Sequence, residues 1–488
     1  MTSKKIHDNL SHPVIDSDAH WLGFGPLLQK RIGEIGGRKV AECFNGYRDV
    51  IGAPLQMTPE ERRFKRVAHM GFWQVPMANT IDRATAMMPS LLYERLEELG
   101  LDFCVMYPTD APSTGNDDAL RVAAMRAFNI FSAELFSDFA DRVTPVAVIP
   151  TNHPEEAIAE LEYVTGELGM KAALFSAMIP RDVPSIEEGG DAGSVRLGPW
   201  YDTLGLDSEY DYDPVWQKCV DLGIAPTFHS SGRGYVLRRS PSNFTYNHIG
   251  HFASAGEAIC KSLLLNGVTQ RFPKLNFAFL EGGAHYACQL LADLIGHWNV
   301  RNAEALKLVD PENLKHQSLI DLGRKYGPPG MAELLIDRES ALYASMAPDV
   351  SVGTGGEPNL DDFARCKIDS VEDFGTLFNN FYFGCEADDR MNASAFNAKV
   401  NPLGTKINAL FSSDIGHFDV QYMNKVLEEA YELVDDGVMS DNDFKDFTFT
   451  NPVNFWSRGN PRFFEGTAVE HQVADLLSSQ ETSVGQAH

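Results

Sequence analysis

The chain has 488 residues, 44% hydrophobic and 22% charged, a globular composition that excludes disordered and fibrous classes. Its 68 acidic residues against 41 basic ones leave a net charge of −27, which repels phosphate backbones and anionic lipid and speaks against a nucleic-acid or membrane-surface role. There is no apolar run of about 18 residues to cross a bilayer and no apolar signal core at the N-terminus; the seven cysteines are scattered without CxxC pairs, so the sequence reads as cytoplasmic with reduced thiols.

In chain order, eight short runs rich in β-branched and aromatic residues predict strands: Val14–His20, Leu101–Pro108, Arg142–Pro150, Gly169–Ser176, Ile224–Ser231, Leu275–Gly283, Phe381–Glu386 and Ala409–Ile415. Each is apolar at nearly every position, as expected of strands covered on both faces in a parallel sheet. Helical patterns fill several gaps, at Pro154–Leu168, Asp213–Leu222, Tyr286–Asn299 and Val420–Val434; Asp213 reads as a cap and Gly223 as a stop. Alternation of this kind implies βαβ units and, with eight strands, an α/β fold of the (β/α)8 TIM-barrel type. One barrel domain is expected over residues 14–466, followed by a tail over 467–488. Two insertions interrupt it, at about 23–99 after strand one and about 300–379 between strands six and seven. Both follow strand C-termini and are expected as lids or as a subunit contact. Phe444–Glu465, with its aromatics and prolines, is expected to pack on the barrel.

Active sites of such barrels form where the strands end. Strand one ends Asp16-Ser-Asp18-Ala-His20, strand five Phe228-His229, strand six Leu280-Glu281-Gly-Gly-Ala-His285, strand seven Cys385-Glu386 and strand eight Ser412-Ser-Asp414-Ile-Gly-His417. Asp18 and His20 are two apart and so share one side of a strand. His229 approaches from across the mouth, and Asp414 neighbours strand one on closure. That donor set suits a divalent first-row ion. Taken singly each residue has a plainer role. Asp414 reads equally as a cap of the following helix, His248 and His251 as packing residues on one helix face, Glu281 as an orienter of a ligand histidine, and Glu386 as a solvated carboxylate. The joint occurrence at one end of four strands favours a metal.

At these residues the chain resembles the amidohydrolase-related family that includes aminocarboxymuconate-semialdehyde decarboxylase. Val14-Ile-Asp-Ser-Asp-Ala-His20 is similar to the family's opening I-D-x-H-x-H. Asp213-Pro-Val-Trp216 with Phe228-His229, the Gly267–Gly283 stretch (GVTQRFPKLNFAFLEGG) and Phe411-Ser-Ser-Asp414 resemble its later motifs. The resemblance implies a (β/α)8 barrel with metal ligands at Asp18, His20, His229 and Asp414. Asp18 stands where the family has its first histidine, and His285 where an apolar residue is common; a carboxylate at that position suits manganese or iron as well as zinc. The chain resembles, more loosely, the larger subunit of aminoisobutyrate hydroxylase.

These features lead to a metal-dependent enzyme that hydrolyses or non-oxidatively decarboxylates a small carboxylate- or amide-containing substrate through an activated water. Asp414, His285 and His417 are the candidate catalytic groups. Asp18, His20, His229, Asp414, Glu281 and His285 are candidate ligands for zinc, manganese or iron, as one ion or two. Arg233, with Arg238 and Arg239 nearby, is a candidate clamp for a substrate carboxylate. The surplus of donors supports an alternative, a dinuclear iron or manganese monooxygenase hydroxylating a small amino or carboxylic acid. A second alternative is a non-catalytic barrel subunit. A homo- or hetero-oligomer is expected, with a small-molecule substrate as the other partner.

Overall fold

The computed structural model describes residues 2–69, 78–109, 111–112, 117–183, 200–232, 238–342 and 361–485. Ten strands occur among them: β1 (Ile15–Trp21), β2 (Phe103–Pro108), β3 (Val143–Ile149), β4 (Ala172–Phe175), β5 (Ile179–Arg181), β6 (Trp200–Asp202), β7 (Pro226–Phe228), β8 (Phe277–Phe279), β9 (Phe381–Glu386) and β10 (Asn408–Ser412). Eight form one sheet in the order β1-β2-β3-β4-β7-β8-β9-β10, and all seven successive pairs are parallel. β10 returns to β1 through two backbone hydrogen bonds, Asp414 N–H to the Asp18 carbonyl (3.2 Å) and His20 N–H to the Ile415 carbonyl (2.8 Å). The result is a nearly closed (β/α)8 barrel, as the alternating pattern predicts. Each of the eight apolar runs overlaps one barrel strand. β5 and β6 form a separate antiparallel pair that the periodicity did not reveal.

The crossover helices Pro154–Gly166 and Asp213–Leu222 fall where expected. Two details differ. Tyr212 occupies the cap position before Asp213, and the Asp213 carboxylate instead receives two bonds from the Arg271 guanidinium, at 2.6 and 2.8 Å. The helix predicted from Val420 begins at Val426 with Lys425 as its cap, so Asp414 caps nothing there.

The chain after β10 closes the N-terminal end of the barrel. Ile15, Phe103, Val146, Ala278 and Leu410 share one apolar cluster with Phe449, Phe455, Trp456, Phe463 and Phe464. Phe103 meets Phe464 edge-on at 5.4 Å and Tyr382 meets Phe455 at 5.1 Å, both near strand N-termini. Burying an aromatic side chain of this size is worth roughly 1.5–3 kcal/mol. With that end filled, the polar strand tips gather at the other.

Residues 292–371 form a compact unit of their own, and residues 1–291 with 372–488 form the other. The smaller unit is helical among its described residues, for example at His316–Tyr326 and Met331–Leu334. The insertion after β1 folds as helices at Gly25–Gly36, Arg38–Gln56, Pro59–Lys65, Thr80–Met87 and Pro89–Leu99. Within that insertion, the aromatic and Met-rich stretch from Met70 to Met77 lies outside the described residues. All seven cysteines are free thiols.

Candidate metal centre

Six side chains meet at the C-terminal mouth. Asp18 and His20 come from β1, His229 from the residue after β7, Glu281 from two residues past β8, and Asp414 and His417 from the turn after β10. A register irregularity between Asp16 and Ala19 bends the end of β1. His20 Nε2 lies 3.4 Å from Asp18 Oδ1, 3.2 Å from Asp414 Oδ1 and 4.0 Å from Glu281 Oε2. His229 Nε2 lies 2.7 Å from Glu281 Oε2 and 3.8 Å from Asp18 Oδ2. His417 Nδ1 lies 2.6 Å from Asp414 Oδ1, and its ring stacks on that of His20 at 3.8 Å. Two overlapping donor groups result, His20/Glu281/Asp414/His417 and Asp18/His20/His229, with the donor atoms of each within 4.8 Å of one another.

Backbone geometry holds this arrangement at some cost. Glu281 and Asp414 both adopt left-handed conformations, at φ +57° and +53°, which non-glycine residues avoid. Gly416 completes the turn between Asp414 and His417 at φ +101°, where a Cβ would stand 2.4 Å from the His20 carbonyl oxygen. Beneath the donors, the buried Asp16 joins β1 to β10. Its carboxylate accepts from the backbone N–H of Asp18 (3.1 Å) and Ser413 (3.0 Å) and from the Ser413 hydroxyl. Burial pushes Asp16 up to about 6, and the bonds from Ser413 and Asp18 only partly offset it.

The donor atoms are buried and unsatisfied. Both carboxylate oxygens of Asp18 and Asp414, Glu281 Oε2, and Nε2 of His20 and His229 make no bond of hydrogen-bonding geometry. Leaving such groups unpaired is costly, and a cation is what would satisfy carboxylates and imidazoles together. Burial pushes the Asp18 and Glu281 carboxyls well above their ordinary range, with Asp414 adding repulsion. Burial and the neighbouring His417 push His20 down to about 4, and burial, then His20 and His417, push His229 well below its usual value. Both imidazoles are thus neutral and keep a lone pair for a metal. Asp414 is the exception: burial would raise it, but His417 and His20 beside it hold it well below the carboxylate range. This donor set fits a divalent ion.

The structure brings Asp18, His20, His229, Glu281, Asp414 and His417 together. It does not bring His285 into either donor group. His285 opens the helix His285–Arg301 and lies on the wall of an adjoining cavity. Arg233 lies outside the described residues. His248 and His251 do not share a helix: His248 ends Phe244–His248 and His251 begins His251–Leu265, because Gly250 turns the chain at φ +69°. Glu281 sits among the donors rather than behind them. Glu386 is not a solvated carboxylate; burial, then repulsion from Asp414 and Asp419, push it up to about 9. Asp419, absent from the sequence reading, lines the same cavity as an exposed residue beside Asp414. No periodic pattern marks it, since it lies in the irregular chain beyond His417. A third group, Asp118/His153/Glu156, already holds the Arg121 guanidinium at 3.2 Å from Asp118 and 2.7 Å from Glu156.

A (β/α)8 barrel with such a donor cluster at its C-terminal mouth has the architecture of a metal-dependent barrel enzyme. Residues 115–336 match the model of the family described as Amidohydrolase, in line with the resemblance of the strand-tip motifs, and that segment carries His229, Glu281 and His285. With this match the chain is a metal-dependent enzyme, a hydrolase or a lyase. No curated protein matches it. Among solved structures, an amidohydrolase of Mycobacterium avium subsp. paratuberculosis K-10 is 16% identical, with a TM-score of 0.51 over 92% of this chain and 100% of its own. A dihydroxybenzoic acid decarboxylase of Polaromonas sp. JS666 with bound manganese and the inhibitor 2-nitroresorcinol is 14% identical, with a TM-score of 0.49 over 93% and 99%. The 5-carboxyvanillate decarboxylase of Sphingomonas paucimobilis is 11% identical, with a TM-score of 0.48 over 91% and 99%.

Proposed function

We propose that the chain hydrolyses or non-oxidatively decarboxylates a small carboxylate- or amide-bearing substrate at a divalent ion held by Asp18, His20, His229 and Asp414, with Glu281 and His417 beside it. The observation that carries this reading is the set of buried, unsatisfied carboxylate and imidazole donors from four strand tips. A bound ion would supply Lewis acidity and lower the pKa of water. His417, 2.6 Å from Asp414, is placed to hold a proton at Nδ1 and release it toward the site. His285 faces the cavity and is the second candidate for proton transfer. Elemental analysis tests the reading. Purified protein is expected to hold at least one divalent metal per chain, and Asp18→Ala, His229→Ala and Asp414→Ala proteins to lose it. Full metal content in all three variants refutes the proposal. The dihydroxybenzoate and carboxyvanillate named for the decarboxylase neighbours are the first compounds to assay.

One observation favours a second reading. Six donors in two groups that share His20 exceed the four or five ligands a single ion commonly takes. A dinuclear iron or manganese centre uses such a surplus and, with an outside electron source, serves oxygenation. About one zinc per chain with no iron or manganese rules this out.

A further inference from the structure

We infer that the helical unit inserted between β8 and β9 carries a face on which a second copy of this chain docks. The unit over residues 292–371 is compact by itself, and its helix His316–Tyr326 is apolar on two sides. One side buries Ile320 and Gly323 against the buried Leu335; a Cβ on Gly323 would stand 2.7 Å from Leu335 Cδ1. The other side holds Leu322 and Tyr326, four apart and so neighbours on one face, and both are exposed. The short helix Met331–Leu334 continues this surface. Met331 Sδ would lie 3.0 Å from a Cβ on Gly327, the residue after Tyr326, so the two helices meet at that point. Leu334 and Ile336 carry the apolar surface onward, and Leu308 stands in the turn ahead of the longer helix.

These six side chains range from 38% exposed at Met331 to 87% at Leu308. A side chain of this kind has roughly 60–120 Å² of apolar area, so together they leave about 250–450 Å² in water. A standard interface takes about 800 Å² from each partner, a little over half of it apolar, or about 450 Å². The apolar surface is thus of the size that one side of a stable pair of chains requires. Charge favours a second copy as the occupant. The whole chain carries −27 and repels its like, yet residues 292–342 hold eight acidic residues against six basic ones, a net of only −2. Both signs border the apolar residues: Lys325 lies over the Tyr326 ring at 4.8 Å, and Glu333 adjoins Leu334. A two-fold contact presents the same patch from both sides, so a face with opposite charges around an apolar centre complements itself.

Sedimentation velocity of the full chain from about 1 to 50 µM, where contacts of this area begin to hold, tests the inference. Dimer is expected to build up with concentration. Tyr326→Asp and Leu334→Asp are each expected to weaken association at least tenfold, with helix content and metal content unchanged. Carbodiimide cross-linking of a mixture of unlabelled and heavy-nitrogen-labelled chains reads the unaltered protein directly, so the test stands even where a variant fails to fold. Cross-links joining a light and a heavy chain are expected within residues 301–338. A chain that stays monomeric throughout the range overturns the inference, whatever else covers the face. So does a dimer that both folded variants retain, and so do mixed cross-links confined to residues outside 292–342. The metal-dependent reading is independent of this result.

Discussion

Replacing Asp18 by Asn separates the folding cost of the centre from its use. Asp18 is fully buried, and neither carboxylate oxygen has a hydrogen-bond partner. Its carboxyl is pushed well above the ordinary value by burial, then by Asp414 and Asp16. A carboxyl whose folded pKa exceeds its unfolded one binds more protons when folded, so its contribution to stability falls as pH rises from about 4 toward the folded value. At pH 7 the metal-free protein therefore carries an uncompensated penalty. An unsatisfied buried polar group costs about 1–3 kcal/mol, and Asn removes the charge at nearly constant volume. Urea unfolding of chelator-treated protein at pH 7 should show the Asp18→Asn midpoint raised by the equivalent of about 1–3 kcal/mol. With saturating metal the order should reverse. An ion at 100 times its Kd stabilises the original chain by about 2.7 kcal/mol, and the variant forfeits most of that. An Asp18→Asn protein that is less stable without metal yet gains as much from metal as the original would refute the assignment of Asp18 as a donor held in place for a cation.

Three other perturbations probe the frame around the site. Gly416→Ala forces a Cβ to 2.4 Å from the His20 carbonyl at φ +101°, so it should cost about 2 kcal/mol or more and lower metal content, read by unfolding and elemental analysis. Trp456→Ala empties part of the apolar plug at the opposite end; a loss of about 3–5 kcal/mol with unchanged metal stoichiometry is expected, and metal loss in folded protein would contradict the separation of plug and site. His7 Nε2 lies 2.7 Å from Asp102, and that hydrogen bond, opposed by partial burial, raises the His7 pKa. A raised folded pKa gives stability that is fully present below about 6.5 and is lost as pH climbs through the folded value. The urea-midpoint gap between the original chain and His7→Ala should accordingly be wider at pH 6 than at pH 9; an equal gap would show that protonated His7 contributes nothing.

Strand placement was legible because burial on both faces leaves a largely apolar run, a one-dimensional property that the barrel strands other than β1 show; β1, with Asp16, Ser17, Asp18 and His20, was legible instead by its ligand-type residues. The donors on strand tips were legible for a related reason: a polar residue ending such a run has few structural uses, and topology sends all the tips to one end. Asp18, His20, His229 and Asp414 fall in this group, and so does the apolar tail around Trp456. What the linear pattern could not carry was distance between tips and the sign of the surroundings. Whether Glu281 orients or donates depends on a left-handed backbone at its own position and on His229 arriving 2.7 Å away from another strand. Whether Glu386 faces water depends on what packs over β9. Asp419 becomes part of the cavity only because Gly416 turns the chain back over His20. His285 opens a helix and belongs to neither donor group, which its place after Glu281 in the sequence does not reveal. Short-range chemistry and periodicity are properties of the chain; desolvation and electrostatic coupling act through space, and only closure of the ring brings those charges within reach of one another.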